Sequence, residues 1–112
     1  MTAQELAQQH CTPQKGAHRR IEGEALAAAL KDLRGWIETD KHIAKDFQFT
    51  DYEQTVAFVN QVAALAAAED HHPDIMFGAN RVRVVFTTHS VRGVSLNDLI
   101  CAARIEAMRD AA

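Results

Sequence analysis

The stretch from Thr50 to Glu69 limits what this chain can fold into more than any other. Thr50 followed by Glu53 reads as a capping box, in which the threonine hydroxyl and the glutamate side chain satisfy each other's exposed backbone N–H groups. Beyond it, Tyr52, Val56, Val59, Ala63 and Ala66 fall on one apolar stripe, and Phe58, Val62 and Leu65 on a second. A helix running to about Glu69 is roughly 30 Å long. Its broad apolar surface needs cover from a sheet on one side and is expected to meet a second copy of the chain on the other. At 112 residues the chain has length for one modest core and not two, so the remaining segments must supply that sheet.

They divide cleanly. Residues 1–21, with Pro13 and Gly16 and no sustained periodicity, read as a polar amino-terminal arm, partly disordered, ahead of a folded domain over 22–112. Leu26, Leu30 and Leu33 recur at helical spacing and predict a helix over about 23–33, stopped by Gly35. Trp36 to Thr39 and His42 to Phe49 read as strands joined around Asp40 and Lys41, with Lys45 the lone polar member of a face shared by Ile43, Phe47 and Phe49. Pro73 to Gly78 and Arg81 to His89 read as a hairpin turning near Gly78-Ala79-Asn80, its second strand alternating Val82, Val84 and Phe86 with Arg83, Val85 and Thr87. A last helix opens at Ser95, with Asp98 at its third position and a staple between Val94 and Leu99. The order αββαββα predicts an α+β fold: a single domain with an antiparallel four-stranded sheet and three helices on one face.

Composition narrows the function classes. A formal charge of −3, from 12 basic and 15 acidic residues with no basic block, offers no electrostatic footprint for nucleic acid. Cys11 and Cys101 lie far apart without a CxxC partner, which argues against a disulfide framework or structural zinc and fits a reducing cytoplasm. The amino terminus lacks the apolar core of a signal peptide, and no apolar run reaches membrane-spanning length.

Chemistry concentrates in the histidines. Of six, His71, His72 and His89 cluster once the hairpin is closed. With the turn centred near residue 80, His71 is expected opposite His89, roughly 5 Å apart at Cβ. His72 precedes a proline at a helix-to-strand junction, where strict alternation need not hold. Asp98, on the first turn of the last helix, is placed to orient an imidazole. Imidazoles titrate near neutral pH, so one ring can take a proton while another delivers one. That pairing suits an addition–elimination such as dehydration and requires no metal. Adjacent histidines rarely present both rings to one tetrahedral ion, and no cysteine stands near to complete a zinc site. The plainer readings are a structural His-His-Pro cluster, an ordinary helix-start carboxylate at Asp98 and a small buried hydrophobe at Cys101.

Asp70-His71-His72-Pro73, the strand ending Thr87-Thr88-His89 and the following Gly93-Val94-Ser95-Leu96-Asn97-Asp98 together resemble the pterin-4a-carbinolamine dehydratases. Fifteen residues separate Pro73 from His89, and eight separate His89 from Asp98, in keeping with that family. The likeness extends through Gly35-Trp36 and Phe47-Gln48-Phe49 to cover about residues 22–110, and Cys11-Thr12-Pro13 is similar to the arm of bacterial members. The resemblance implies dehydration of 4a-hydroxytetrahydropterin to quinonoid dihydropterin, in a homodimer or homotetramer, without a cofactor. It implies His71 and His89 as the proton-transfer pair, His72 in substrate binding and charge stabilisation, and Asp98 in support. Asp70, Thr87, Thr88 and Ser90 would be polar contacts to the pterin. Two positions depart from the pattern: Ala67 stands where active members usually carry an ionisable or acidic residue, and Ala79 where they usually carry an aromatic. These departures point to weakened activity, or to an interaction role like that of pterin-dehydratase-like proteins thought to assist RuBisCO assembly in α-carboxysome systems. The coactivator role of animal members has no support here beyond the shared fold.

Overall fold

The computed structural model describes residues 1–111. Its long helix, α3 in chain order, spans Tyr52–Glu69 and is capped one residue later than the sequence pattern suggests. Asp51, with extended backbone (φ −149°), accepts the Gln54 N–H at 2.8 Å. A carboxylate is the stronger acceptor for that exposed donor. Thr50 is left outside the helix, its hydroxyl donating to Gln54 Oε1 at 2.8 Å. The buried stripe is Thr55, Phe58, Val62 and Ala66. Of the other apolar stripe, Val56 and Val59 are half-buried, Ala63 is exposed, and Tyr52 is 58% exposed.

Ahead of α3 come α1 (Ala3–Ala7), α2 (Gly23–Lys31), β1 (Ile37–Thr39) and β2 (His42–Gln48). After it come β3 (Asp74–Phe77), β4 (Arg81–Phe86) and α4 (Leu96–Ala111). The sheet is antiparallel throughout in the order β1-β2-β4-β3. Asp40 and Lys41, both at positive φ (47° and 67°), make the tight turn between β1 and β2. One sheet face carries Ile43, Phe47, Val82, Val84 and Phe86 into the core, all at 2% exposure or less. The helices lie on that side. The opposite face stays open, with Asp46, Arg83 and Met76 in one row across three strands and Arg83 bridging both Asp46 oxygens at 3.1 and 3.2 Å.

Two sequence features find their explanation in α4. Lys45 lies toward the core because its ammonium donates to Glu106 Oε1 at 2.9 Å and to the Arg34 carbonyl at 2.7 Å. Trp36 Nε1 donates to the other Glu106 oxygen at 3.1 Å. Gly35 (φ 85°) is required there, since a Cβ would come within 2.8 Å of Lys45 Cε.

The arm carries a short helix, α1, and a 3₁₀ turn over Ala17–Arg19, where the sequence has no sustained periodicity. Thr2 and Glu5 form a complete capping box around α1, and Leu6, only 1% exposed, anchors that helix against α4. A five-residue helix with one buried leucine has too little periodicity to be found in sequence. Its capping box and the packing of Leu6 on α4 hold it in place.

Candidate functional site

His71 owes its position to the way α3 ends. Asp70 takes a left-handed conformation (φ 50°, ψ 43°), its N–H donating to Ala67, and the His71 N–H reaches back to the Ala66 carbonyl at 3.1 Å. This is a Schellman stop, with aspartate where glycine is usual. It turns His71 back onto the sheet, where its ring stacks on Phe86 with centroids 5.9 Å apart and planes 6° from parallel.

Asp98 arrives from the other side. It occupies the first turn of α4, where Ser95 acts as the cap: Asp98 Oδ2 accepts the Ser95 N–H at 2.9 Å, and Ser95 Oγ accepts the Asn97 N–H at 3.2 Å. Oδ2 also accepts the Thr88 hydroxyl at 2.8 Å, and Oδ1 meets His71 Nε2 at 2.5 Å. The Asp98 side chain is fully buried and that of His71 only 12% exposed. A buried carboxylate holding three partners is well satisfied and rigid.

That arrangement fixes the chemistry of the His71 ring. An ionised carboxylate only accepts, so Nε2 carries the hydrogen and Nδ1 is left as the nitrogen that can take or give a proton. Among the described residues no side-chain nitrogen or oxygen is buried without a partner. His71 Nδ1 has no hydrogen-bond partner among the described residues, and the side chain keeps 12% exposure.

The directly opposed His71–His89 pair does not form. The pairing arithmetic set Asp74 against Phe86, whereas the structure pairs Asp74 with Val85. Strand pairing begins at Asp74, just beyond Pro73, which has no N–H to give. After β4 the chain leaves the ladder through a Thr88–Gly93 bridge and a 3₁₀ turn over His89–Val91. Carried on, the observed register sets His71 against Thr88, and those two residues meet on the two oxygens of Asp98.

The remaining candidates lie around this centre in different states. His89 is exposed on the 3₁₀ turn. His72 has a 70% exposed side chain, 3.9 Å from the Asp70 carboxylate, itself 96% exposed. Thr87 donates its hydroxyl to the Lys41 carbonyl at 2.8 Å. Thr88 is buried, its hydroxyl also 2.7 Å from Ser95 Oγ. The Ser90 hydroxyl donates to the Gln14 carbonyl. Ala67 and Ala79 are both exposed. A hollow on the open sheet face, lined by Asp46, Gln48, Met76, Phe77, Arg81 and Arg83, contains none of these residues.

Sequence reasoning missed the arm's part in the site. Glu69, two residues before His71, accepts from the His10 ring at 2.8 Å and from the Cys11 N–H at 2.7 Å. Burial alone would raise its pKa, but these hydrogen bonds outweigh burial and hold the carboxyl below its usual value. No local pattern links residues 59 positions apart, so no sequence signal was available.

The fold and site thus define an α+β protein with a histidine–carboxylate pair where helix ends meet one end of an antiparallel sheet. The sequence profile of the family described as pterin 4 alpha carbinolamine dehydratase matches residues 19–108. The chain belongs to that family. It is 44% identical over 107 residues to a protein of Nitrosospira multiformis, covering 96% of this chain and 95% of that one. It is 45% identical over 103 residues to one of Nitrosomonas eutropha, covering 91% of each. Both are named "Putative pterin-4-alpha-carbinolamine dehydratase". Among solved structures it is similar to a transcriptional coactivator/pterin dehydratase from Brucella melitensis (TM-score 0.76, 34% identity, 80% of this chain and 97% of that one). It is also similar to a pterin dehydratase-like protein identified as a RuBisCO assembly factor in the alpha-carboxysome (TM-score 0.55, 28% identity, 65% and 84%).

Proposed function

We propose that the chain is a 4a-hydroxytetrahydropterin dehydratase that eliminates water to give quinonoid dihydropterin by histidine acid–base catalysis. The observation that carries this reading is the buried Asp98 carboxylate on His71 Nε2, 2.5 Å away, because it leaves Nδ1 for proton transfer. Elimination requires one proton delivered to the departing 4a-hydroxyl oxygen and one removed from N5. His71 Nδ1 handles one of these transfers and His89, exposed on its turn, the other. His72 binds the pterin and stabilises developing charge. Asp70, Thr87 and Ser90 supply polar contacts at the rim, and Thr88 acts through Asp98. The working form is a homodimer or homotetramer, supported by the exposed apolar side chains Tyr52, Ile37, Met76 and Phe77.

The test follows the decay of the 4a-carbinolamine absorbance. Wild-type protein accelerates it, and His71→Ala and His89→Ala lose nearly all of that effect. Decay at the spontaneous rate with wild type present would sink the proposal.

Assembly of RuBisCO rather than catalysis is favoured by Ala67 and Ala79 together with the likeness to the assembly factor. The lower TM-score and identity of that neighbour make it the second choice. Co-purification with RuBisCO subunits alongside an inactive pterin assay would reverse the order.

A further inference from the structure

Cys11 and Cys101 stand 90 positions apart in the chain, yet their Sγ atoms are 3.5 Å apart. A disulfide requires about 2.05 Å, so the pair lies one small side-chain movement from bonding. Cys101 is buried on α4 and cannot move far. Cys11 is half-buried on irregular backbone between α1 and the 3₁₀ turn at Ala17–Arg19, so the movement falls to its side chain, whose Sγ also donates to the Asn97 carbonyl at 3.6 Å.

The surroundings of Cys11 give the pair its significance. Its N–H holds Glu69, and Thr12 exchanges two hydrogen bonds with the Asn97 carboxamide, at 3.1 and 2.8 Å. Further on, the Ser90 hydroxyl donates to Gln14, and the Gly16 N–H donates to the Ser90 carbonyl at 3.1 Å. Residues 10–16 are thus a strap. It ties together the end of α3 before His71, the start of α4 that carries Asp98, and the turn that carries His89.

We propose that Cys11 and Cys101 form a reversible redox clasp, in which a low-molecular-weight disulfide such as oxidised glutathione converts the two thiols to one intramolecular disulfide and fastens the strap. Cys11 reacts first because solvent reaches it. Its thiolate attacks one sulfur of oxidised glutathione, the reagent's S–S bond breaks, and one glutathione leaves and takes up the proton Cys11 lost. Once Cys11 is bonded to glutathione, the hydrogen bond that most raises the Cys101 pKa is gone. Cys101 gives up its proton, which the second departing glutathione takes, and its thiolate attacks the Cys11 sulfur of the mixed disulfide. Two protein thiols are oxidised while one disulfide is reduced to two thiols. The hydrogen bond with Cys11, burial, and the nearby Asp98 and Glu69 carboxylates all push the Cys101 pKa up. Cys101 therefore stays inert toward outside reagents and reacts only with a sulfur held against it.

The test equilibrates the full chain in glutathione buffers from reducing to oxidising, traps free thiols by alkylation in denaturant, and reads intact and peptide masses. The expected oxidised product has no alkylatable thiol, is lighter by two hydrogens, and yields a linked peptide pair containing Cys11 and Cys101. It melts several degrees above the reduced form, since the cross-link closes a long loop in the unfolded chain. Amide exchange across residues 10–16 slows with it. Cys101→Ser is expected to stop at a stable glutathione adduct on Cys11. Cys11→Ser keeps the native Cys101 unreactive, guarding against misfolding of the first variant. A wild type that keeps both thiols, holds glutathione stably on Cys11, or cross-links only between chains would overturn the clasp.

Discussion

Asp98 meets His71 through one carboxylate oxygen and binds Thr88 and the Ser95 N–H through the other. The histidine comes from the stop signal of one helix and the aspartate from the start signal of another. The end of α3 and the start of α4 lie at the same end of the sheet, so the signals that bound these helices also assemble the pair. Asp98 is wholly buried, so solvent does not reach it. In the proposed mechanism its effect passes through the imidazole, by fixing the ring's orientation and which nitrogen bears hydrogen.

Asp98→Asn tests that role. The amide keeps the shape but can present its NH₂ group to Nε2, which favours the tautomer with hydrogen on Nδ1. If His71 transfers protons through Nδ1, kcat in the carbinolamine assay falls by about 10²-fold or more, within the range for a positioned acid or base, while KM changes little. A matching rise in KM with unchanged kcat would instead mark Asp98 as part of the binding surface.

The fold was legible where apolar spacing is regular and burial one-sided. The strands, the long helix and the helix opened by Ser95 all follow from alternation or helical recurrence. Which stripe of α3 faces inward was not legible, because both are apolar and only the position of the sheet decides between them. The candidate site was legible as a set of residue types but not as geometry. His71 and Asp98 stood out by type, yet a one-residue change of register moves His71 from His89 to Thr88. Thr88, read as a substrate contact, proves to be a buried partner of Asp98, a difference of burial that its sequence neighbours do not encode.

Leu6 carries the first helix. It is 1% exposed in a segment with little else to hold it. Leu6→Ala should destabilise the protein by about 2–5 kcal/mol, read as a lower denaturation midpoint with little change in slope. An effect under about 0.5 kcal/mol would mean that α1 is not part of the cooperative core.

Glu106 gathers Lys45 and Trp36 beneath the sheet. Glu106→Gln keeps a carbonyl for one donor but removes the charge facing the Lys45 ammonium, whose side chain is only 14% exposed. A loss of about 1–3 kcal/mol is expected, with altered Trp36 fluorescence from its changed N–H partner. Lys45→Met combined with Glu106→Gln should cost less than the two changes summed, since neither partner is then left facing an unpaired group.

Ala67 and Ala79 are surface positions, so restoring the family's usual residue types there should not disturb the core. Ala67→Glu and Ala79→Tyr should each shift stability by about 0.5 kcal/mol or less. If these alanines limit a dehydratase, each substitution raises kcat/KM, and the double variant exceeds either one. Unchanged activity in all three would remove the two positions from any account of the site's efficiency.

Glu69 gives the fold a definite dependence on acid. Its carboxyl titrates below the ordinary 4.5 in the folded protein because the hydrogen bonds from His10 and the Cys11 N–H outweigh the opposing effect of burial. The unfolded chain therefore binds a proton more readily than the native one. The stabilisation is present in full above the unfolded pKa and disappears as pH falls through the lower folded value. Glu69→Gln removes the titration while keeping an amide oxygen for Cys11. Wild type should be the more thermostable at pH 7, with the gap in Tm closing as pH falls from about 5 through the carboxylate range. A gap that stays constant across that range would show that the Glu69 charge adds nothing to holding the strap against α3.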